Sequence, residues 1–406
     1  GGVERMRKLG RMINGEMEEA FGGGGIVAWD EPETWLRAYS TDFSRTIQSV
    51  QAVLDGLLGD PPASSLRKGG RASKPRRREV DVDARHTSKM IPDPNPRRYV
   101  GQAELERELL SRPQFVEKEE EMKPLAVRLT RTLRESGILG EEAEGISFGV
   151  GEDEAAKGGE SDNSVSGGDP PPLAWNQLAE ILVCLDSQGR LPPSISRKDL
   201  SAAAEHNARR WFDLLGDPRL AAMAIKSLAK KMVLNAEEAV KAAVVRSKMD
   251  GANEKGAVTS TSEDPPSPSP PPILHVFSGH DATLIALMCA FRLERPAVWP
   301  EYGSYLKMEL LRLDDDRRGE SDGGGGSVGT GEGVHQKKEN RDKNQFYVRF
   351  SLDGVPLRSR LGDVDGDKHR AGNSGDADSF LLRWEDLRRG LDKMERVLPP
   401  LAAPDG

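Results

Sequence analysis

Two short runs carry side chains able to grip and cleave an anionic ester. STDFSR (40–45) ends in Arg45, and SGHD (278–281) ends in His280-Asp281. The planar guanidinium of arginine matches phosphate oxygens through paired charge-assisted hydrogen bonds. A histidine beside it adds a donor, and a protonated carboxyl group can hand its proton to a leaving oxygen. A plainer alternative stays open from these residues: Arg45 pairs with Asp42, and His280-Asp281 caps a helix.

The flanking elements decide whether such groups converge. TWLRAYST (34–41) reads as a strand with a polar end. In DFSRTIQSVQAVLDGLL (42–58), Ile47, Val50, Val53, Leu54, Leu57 and Leu58 form a helical stripe, with Asp42 or Ser44 as the expected N-cap. ILHVFS (273–278) reads as a strand, and ATLIALMCAF (282–291), apolar all round, as a buried helix. Both runs therefore follow a strand and open a helix. Open α/β sheets bind ligands at such places, where helix N-termini present free amides. If the two strands are neighbours, Arg45, His280 and Asp281 share one crevice.

Elsewhere, apolar spacing predicts helices over 3–20, 102–110, 124–135, 172–186, 202–215 and 221–233. Alternation predicts strands over 79–87, 305–313 and 345–354, the last ending in an Asp-Gly turn. Strand–helix units thus flank a helical middle. The expected fold is an α/β three-layer sandwich with a mixed, mainly parallel sheet, a helical cap insertion and several disordered inserts. Residues 1–90 would form the first part of the core with an insert at 62–79. Residues 91–245 would form the cap, with a disordered stretch at 140–172, and 246–272 a disordered linker. Residues 273–357 would complete the core around an insert at 314–343, followed by 358–406, a disordered segment and a C-terminal helix. These inserts are read from their Gly, Ser, Pro and charge content.

With 36% hydrophobic and 31% charged residues, the 406-residue chain has enough apolar side chains for a core. A net charge of -8 of mixed sign argues against a stable nucleic-acid partner. No run of 18 apolar residues occurs, so no transmembrane segment is expected. Cys184 and Cys289 lie in apolar segments and read as buried free thiols, one long-range disulfide being the alternative. Their scarcity points to a reducing compartment. The first residues show no signal-peptide pattern.

STDFSRTIQS (40–49) and SGHDATL (278–284) resemble the two downstream motifs of the histidine acid phosphatases, the group that includes the phytases. Further likenesses follow in family order: GVERMRKLG (2–10), DARHTSKMIPDPNP (84–97), and WPEYGSYLKMEL (299–310) followed by FYVRFSLDG (346–354). HDATLIALMCAF with VWPEYGSYLKMELLR looks closest to the lysophosphatidic-acid phosphatase type. The resemblance implies phosphomonoester hydrolysis through a phosphohistidine, without a metal or other cofactor, on a small-molecule or lipid phosphate monoester. Arg45 and His280 would hold the phosphoryl oxygens and Asp281 would protonate the leaving alcohol. The nucleophilic histidine of the family sits in an Arg-His-Gly-x-Arg motif, which this sequence lacks; of six histidines only His86 follows an arginine, in a different context. The expectation is an N-terminally truncated chain that is inactive as given, the alternative being a relative that binds phosphate without turnover. Tyr39 stands where the family usually has Arg, which puts the orientation of Arg45 in question.

Other motifs carry less. DVDGD (363–367) has Lys368 and Ser374 where a calcium loop needs Gly and Glu. GGGG (22–25) lacks the Lys-Ser/Thr of a phosphate loop. KPRRR (74–78), within the basic segment 67–78, fits a solvated loop better than a nuclear or nucleic-acid patch. PPSPSPPP (265–272) reads as a spacer, His206 and His275 as satisfied fold histidines, and His335 and His369 as insert residues.

Overall fold

The computed structural model describes residues 2–21, 31–59, 80–85, 99–139, 171–253, 274–296, 299–313, 345–361 and 377–399. Its first unit runs from helix α1 (Gly2–Phe21) through a single turn, α2 (Pro32–Trp35), into strand β1 (Leu36–Thr41) and helix α3 (Ser44–Leu58), then strand β2 (Val82–Arg85). β1 buries every residue but Arg37. The predicted stripe of α3 is its buried face, with Val50, Leu54 and Leu57 packed beside Leu36 and Ala38 of β1 and Met17 of α1. α1 crosses α3 at two glycines: a Cβ on Gly10 would overlap the Val53 carbonyl, and one on Gly56 the Arg7 carbonyl. Neither Asp42 nor Ser44 caps α3. Its N-cap is Phe43, which has no side-chain oxygen, and Ser44 is already helical. The turn is fixed instead by Thr46, whose hydroxyl donates to the Phe43 carbonyl at 2.8 Å.

The helical middle holds α4 (Gln102–Leu110), α5 (Pro113–Glu135), α6 (Trp175–Ser187), α7 (Arg197–Leu215) and α8 (Pro218–Asn253). α5 starts at Pro113 rather than Pro124, which lies inside the helix. A proline reads naturally as a helix start, and the preceding stretch is charged; Lys118–Glu121 and Lys123–Glu120 pairs line its exposed face. α8 continues to Asn253, so the helix enters the linker expected from 246. Just before it, the Ala- and Glu-rich stretch 236–243 favours helix, with Lys241 pairing to Glu237 at 3.2 Å.

Strand β3 (Leu274–Ser278) leads into helix α9 (Asp281–Ala290), followed by β4 (Leu306–Leu313), β5 (Gln345–Leu352), β6 (Val355–Leu357), a 3₁₀ turn at Ala377–Phe380, β7 (Leu381–Arg383) and α10 (Trp384–Arg396). The expected α/β fold is present, with parallel and antiparallel strands in separate ladders among the described residues: β2-β1-β3 parallel, and β4-β5-β6 with β7 on β5, antiparallel. The Asp353-Gly354 turn joins β5 and β6 with positive φ at both residues, the backbone a tight hairpin requires. α9 is buried against α7 and α8, with Ile285, Ala286 and Met288 covered. Leu361 is buried as well, so the segment expected to be disordered from 358 begins inside the core. Cys184 and Cys289 are free thiols, not a disulfide, and burial pushes the Cys289 thiol up to about 12.

Expectations for 62–79, 254–272 and 314–343, for most of 140–172 and for 362–376 fall outside the described residues, as do GGGG (22–25), KPRRR, His86, PPSPSPPP, DVDGD, His335 and His369.

Candidate functional site

β1 and β3 are parallel neighbours in a register that sets Ser40 beside Ser278. Their C-terminal ends are therefore adjacent, and α3 and α9 start from the same edge. Ser278 Oγ donates to the Thr46 carbonyl at 2.9 Å, tying β3 to the first turn of α3.

Arg45 Nη2 reaches His280 Nδ1 at 3.2 Å. A guanidinium can only donate, so Nδ1 accepts and the ring proton belongs on Nε2. That nitrogen stands 3.4 Å from Thr41 Oγ1, which is itself 2.6 Å from Thr46 Oγ1. The imidazole is neutral here: burial pushes its pKa below the ordinary value, Arg45 pushes the same way, and Asp281 opposes them. His280 occupies the N-cap position of α9, yet its ring makes no capping bond; its backbone N–H donates to Thr283 Oγ1 at 3.2 Å. The sequence alternative of an Arg45–Asp42 pair gives way to Arg45–His280.

Asp281 is exposed and held at both oxygens. Oδ1 accepts from the Ala282 amide at 2.8 Å, and Oδ2 accepts from the Trp299 indole N–H at 2.7 Å. Phe43 stands edge-on to the His280 ring at 5.2 Å, and the Arg45 guanidinium lies 5.4 Å from the centre of the same phenyl ring. Tyr39 is buried and stacked on Phe277 at 4.7 Å, and the Arg45 guanidinium meets His280. The structure thus brings together the three side chains singled out in the sequence. Trp299, Phe43 and Thr41 were missed. A signal existed for the first: WPEYG places two aromatics amid Pro and Gly just before a strand.

The two expected fold histidines differ. His275 Nδ1 accepts from the Asn235 side-chain amide at 3.1 Å, and burial foremost lowers its pKa to about 4. His206 is buried against Trp175 with Nε2 3.0 Å from Glu119 Oε1, but neither ring nitrogen has a well-directed hydrogen bond. Sequence reading could place it in the core but not foresee that poor geometry. Among the described residues no group of three His, Cys, Asp or Glu could hold a metal ion.

No protein-family model and no curated relative matches the sequence. Solved structures do match. The Citrobacter braakii phytase superposes with a TM-score of 0.52 at 15% identity, covering 97% of this chain and 87% of the phytase. The fold is that of these phytases. The Hafnia alvei phytase gives 0.51 at 12% identity, covering 98% and 88%, and that enzyme has also been solved with myo-inositol hexakis sulphate. At such identities the likeness is one of fold, and it covers nearly the whole of this chain.

Proposed function

We propose that this chain is a phosphomonoester hydrolase of the histidine acid phosphatase type. Arg45 and His280 hold the phosphoryl oxygens, and Asp281 protonates the leaving alcohol. The observation that carries this reading is the 3.2 Å Arg45–His280 contact at the joined ends of β1 and β3, where two helices begin. An entering phosphoryl group replaces that contact. The guanidinium forks onto two oxygens, and the added negative charge draws a proton onto His280, turning Nδ1 from acceptor to donor. Asp281, one residue further and fixed by Trp299, serves the ester oxygen.

In the mechanism of that type, a histidine nitrogen forms a bond to phosphorus as the ester P–O bond breaks, and the alcohol departs with the Asp281 proton. Water then attacks the phosphohistidine, the Asp281 carboxylate takes its proton, and inorganic phosphate leaves. Splitting one displacement into two lowers each barrier, while fixed positive donors stabilise the equatorial oxygens. These 406 residues contain no Arg-His-Gly-x-Arg, so the reading assigns them the phosphate grip and the proton donor. It expects no turnover from this polypeptide alone. The same absence favours a second reading, phosphate binding without turnover. A lysophospholipid phosphate is the substrate class that the sequence resemblance implies, with inositol phosphates and small esters as the others. No helix among the described residues is long and apolar enough to cross a membrane.

Titrating the 406-residue chain with inorganic phosphate tests the grip. Arg45→Ala should weaken binding about 100-fold, the equivalent of about 3 kcal/mol for two lost charge-assisted bonds. Unchanged affinity would sink the reading. Turnover of p-nitrophenyl phosphate by the same chain would mean that the nucleophile lies within it.

A further inference from the structure

The side of the site that faces the leaving group is built from aromatic rings contributed by separate parts of the chain. Trp299 stands against Asp281 through its N–H, and its ring meets Trp211 of α7 at 6.2 Å between centroids, inclined by 66°. Tyr302, three residues on and 52% exposed, is anchored by its hydroxyl to Cys184 Sγ of α6 at 3.1 Å. Phe43, 41% exposed, covers the other side of His280. The loop bearing Trp299 and Tyr302 is itself pinned. Arg5 of α1 bonds Glu301 at 3.1 Å, and Gly303, at φ +86, lies so close to Met6 and Arg5 that a side chain there would displace them.

Two acidic side chains act on Tyr302 from this side. The phenol of Tyr302 is pushed above its ordinary range by burial first, then by its bond to Cys184, and further by the anionic groups Glu180 and Asp281. Arg5, the cation that reaches this loop, is already engaged by Glu301. A leaving group with further phosphates would meet the Glu180 carboxylate across an aromatic wall. A flat uncharged one would find ring faces and edges beside the proton donor.

Resting on the phosphate grip proposed above, we propose that Trp299 and Tyr302 are specificity-determining residues: they form a wall on which a flat, uncharged aromatic leaving group packs, and which disfavours polyanionic esters. Trp299 has a second task, since its N–H keeps the Asp281 carboxyl turned toward the same leaving group.

Binding separates this from the grip itself. The 406-residue chain is titrated calorimetrically with inorganic phosphate, 1-naphthyl phosphate, n-butyl phosphate and myo-inositol hexakisphosphate, counting the binding that Arg45→Ala removes. Naphthyl phosphate should bind about tenfold more tightly than inorganic phosphate, butyl phosphate within about threefold of it, and the hexakisphosphate no more tightly. Trp299→Leu and, as a substitution at a more exposed position, Tyr302→Ser should each pull the naphthyl-to-phosphate ratio toward one. Trp299→Phe, which keeps a ring but not the N–H, should preserve most of it. Preferred binding of the hexakisphosphate, an equal gain for the butyl ester, or a ratio unmoved by both Trp299→Leu and Tyr302→Ser overturns the wall while leaving the grip intact. Failure of every ligand, inorganic phosphate included, sinks the grip and the wall with it.

Discussion

The two strand–helix units that meet at the site are anchored in opposite ways. In β1–α3 the strand is the buried partner: all but Arg37 is covered, and α3 shows one apolar stripe to the core and Arg45 to solvent. In β3–α9 the strand is half-buried along its whole length, and the helix is the buried partner, with Thr283, Ile285, Ala286, Leu287, Met288 and Ala290 covered. The same chemical layout is thus reached from either side of the strand–helix junction. Arg45 reaches out from a surface helix and takes its position largely from the group it meets. His280 and Asp281 are placed by the first turn of a helix that cannot shift without disturbing the core.

Three measurements bear on that contrast. Ile285→Ala, at a fully covered position of α9, should cost about 3 kcal/mol in denaturant unfolding, because the transfer loss and the residual cavity add. Ile47→Ala on half-buried α3 should cost about 1 kcal/mol, and equal losses would break the comparison.

The next effect is one of pH. His275 of β3 faces Arg37 of β1 in register and titrates near 4 when folded, against about 6.5 unfolded. Between those values the unfolded chain holds the extra proton, so stability rises with pH through this window and is lost on acidification from about 6.5 to 4. With screening by solvent the loss is on the order of 2 kcal/mol. His275→Gln should flatten that limb of the stability–pH curve, whereas Arg37→Gln, which removes one of the cations that disfavour the imidazolium, should only narrow it.

The smallest effect concerns the helix starts. Thr283→Val removes the acceptor for the His280 amide and should cost about 1 kcal/mol. Ser44→Ala, at the uncapped start of α3, should stay within about 0.5 kcal/mol. A reversed order would show that the α3 terminus is the better fastened.

Much of this arrangement was legible in the residues. Arg45 and His280-Asp281 stood out because each directly follows a strand and opens a helix, and the pairing of β1 with β3 then joins them. The α3 stripe and the all-apolar α9 were readable because burial imposes periodicity. What escaped notice had none to impose. The first half of α5 is held by surface ion pairs and only Phe115 of it is buried, so its helical character has little hydrophobic signature. Trp299 and Tyr302 lie in a loop, where position comes from contacts to α1, α6 and α7 that no local pattern encodes. The cap of α3 was misjudged for a related reason: Asp42 and Ser44 have the right chemistry, but Thr46 reaches the Phe43 carbonyl and settles the turn one residue away from each.

The paired glycines where α1 meets α3 set a length constraint as well as a close approach. With Gly10 locked against Val53 and Gly56 against Arg7, α1 is indexed like a key in a notch, and cannot slide to accommodate a change in register. From that index point Arg5 and Met6 reach Glu301 and Gly303, one helical turn away. Inserting one residue between Met6 and Gly10 would swing both side chains by about 100° around the helix and lift them off the loop. Substitutions on the exposed face of α1 are open to drift; its spacing over these few residues is not.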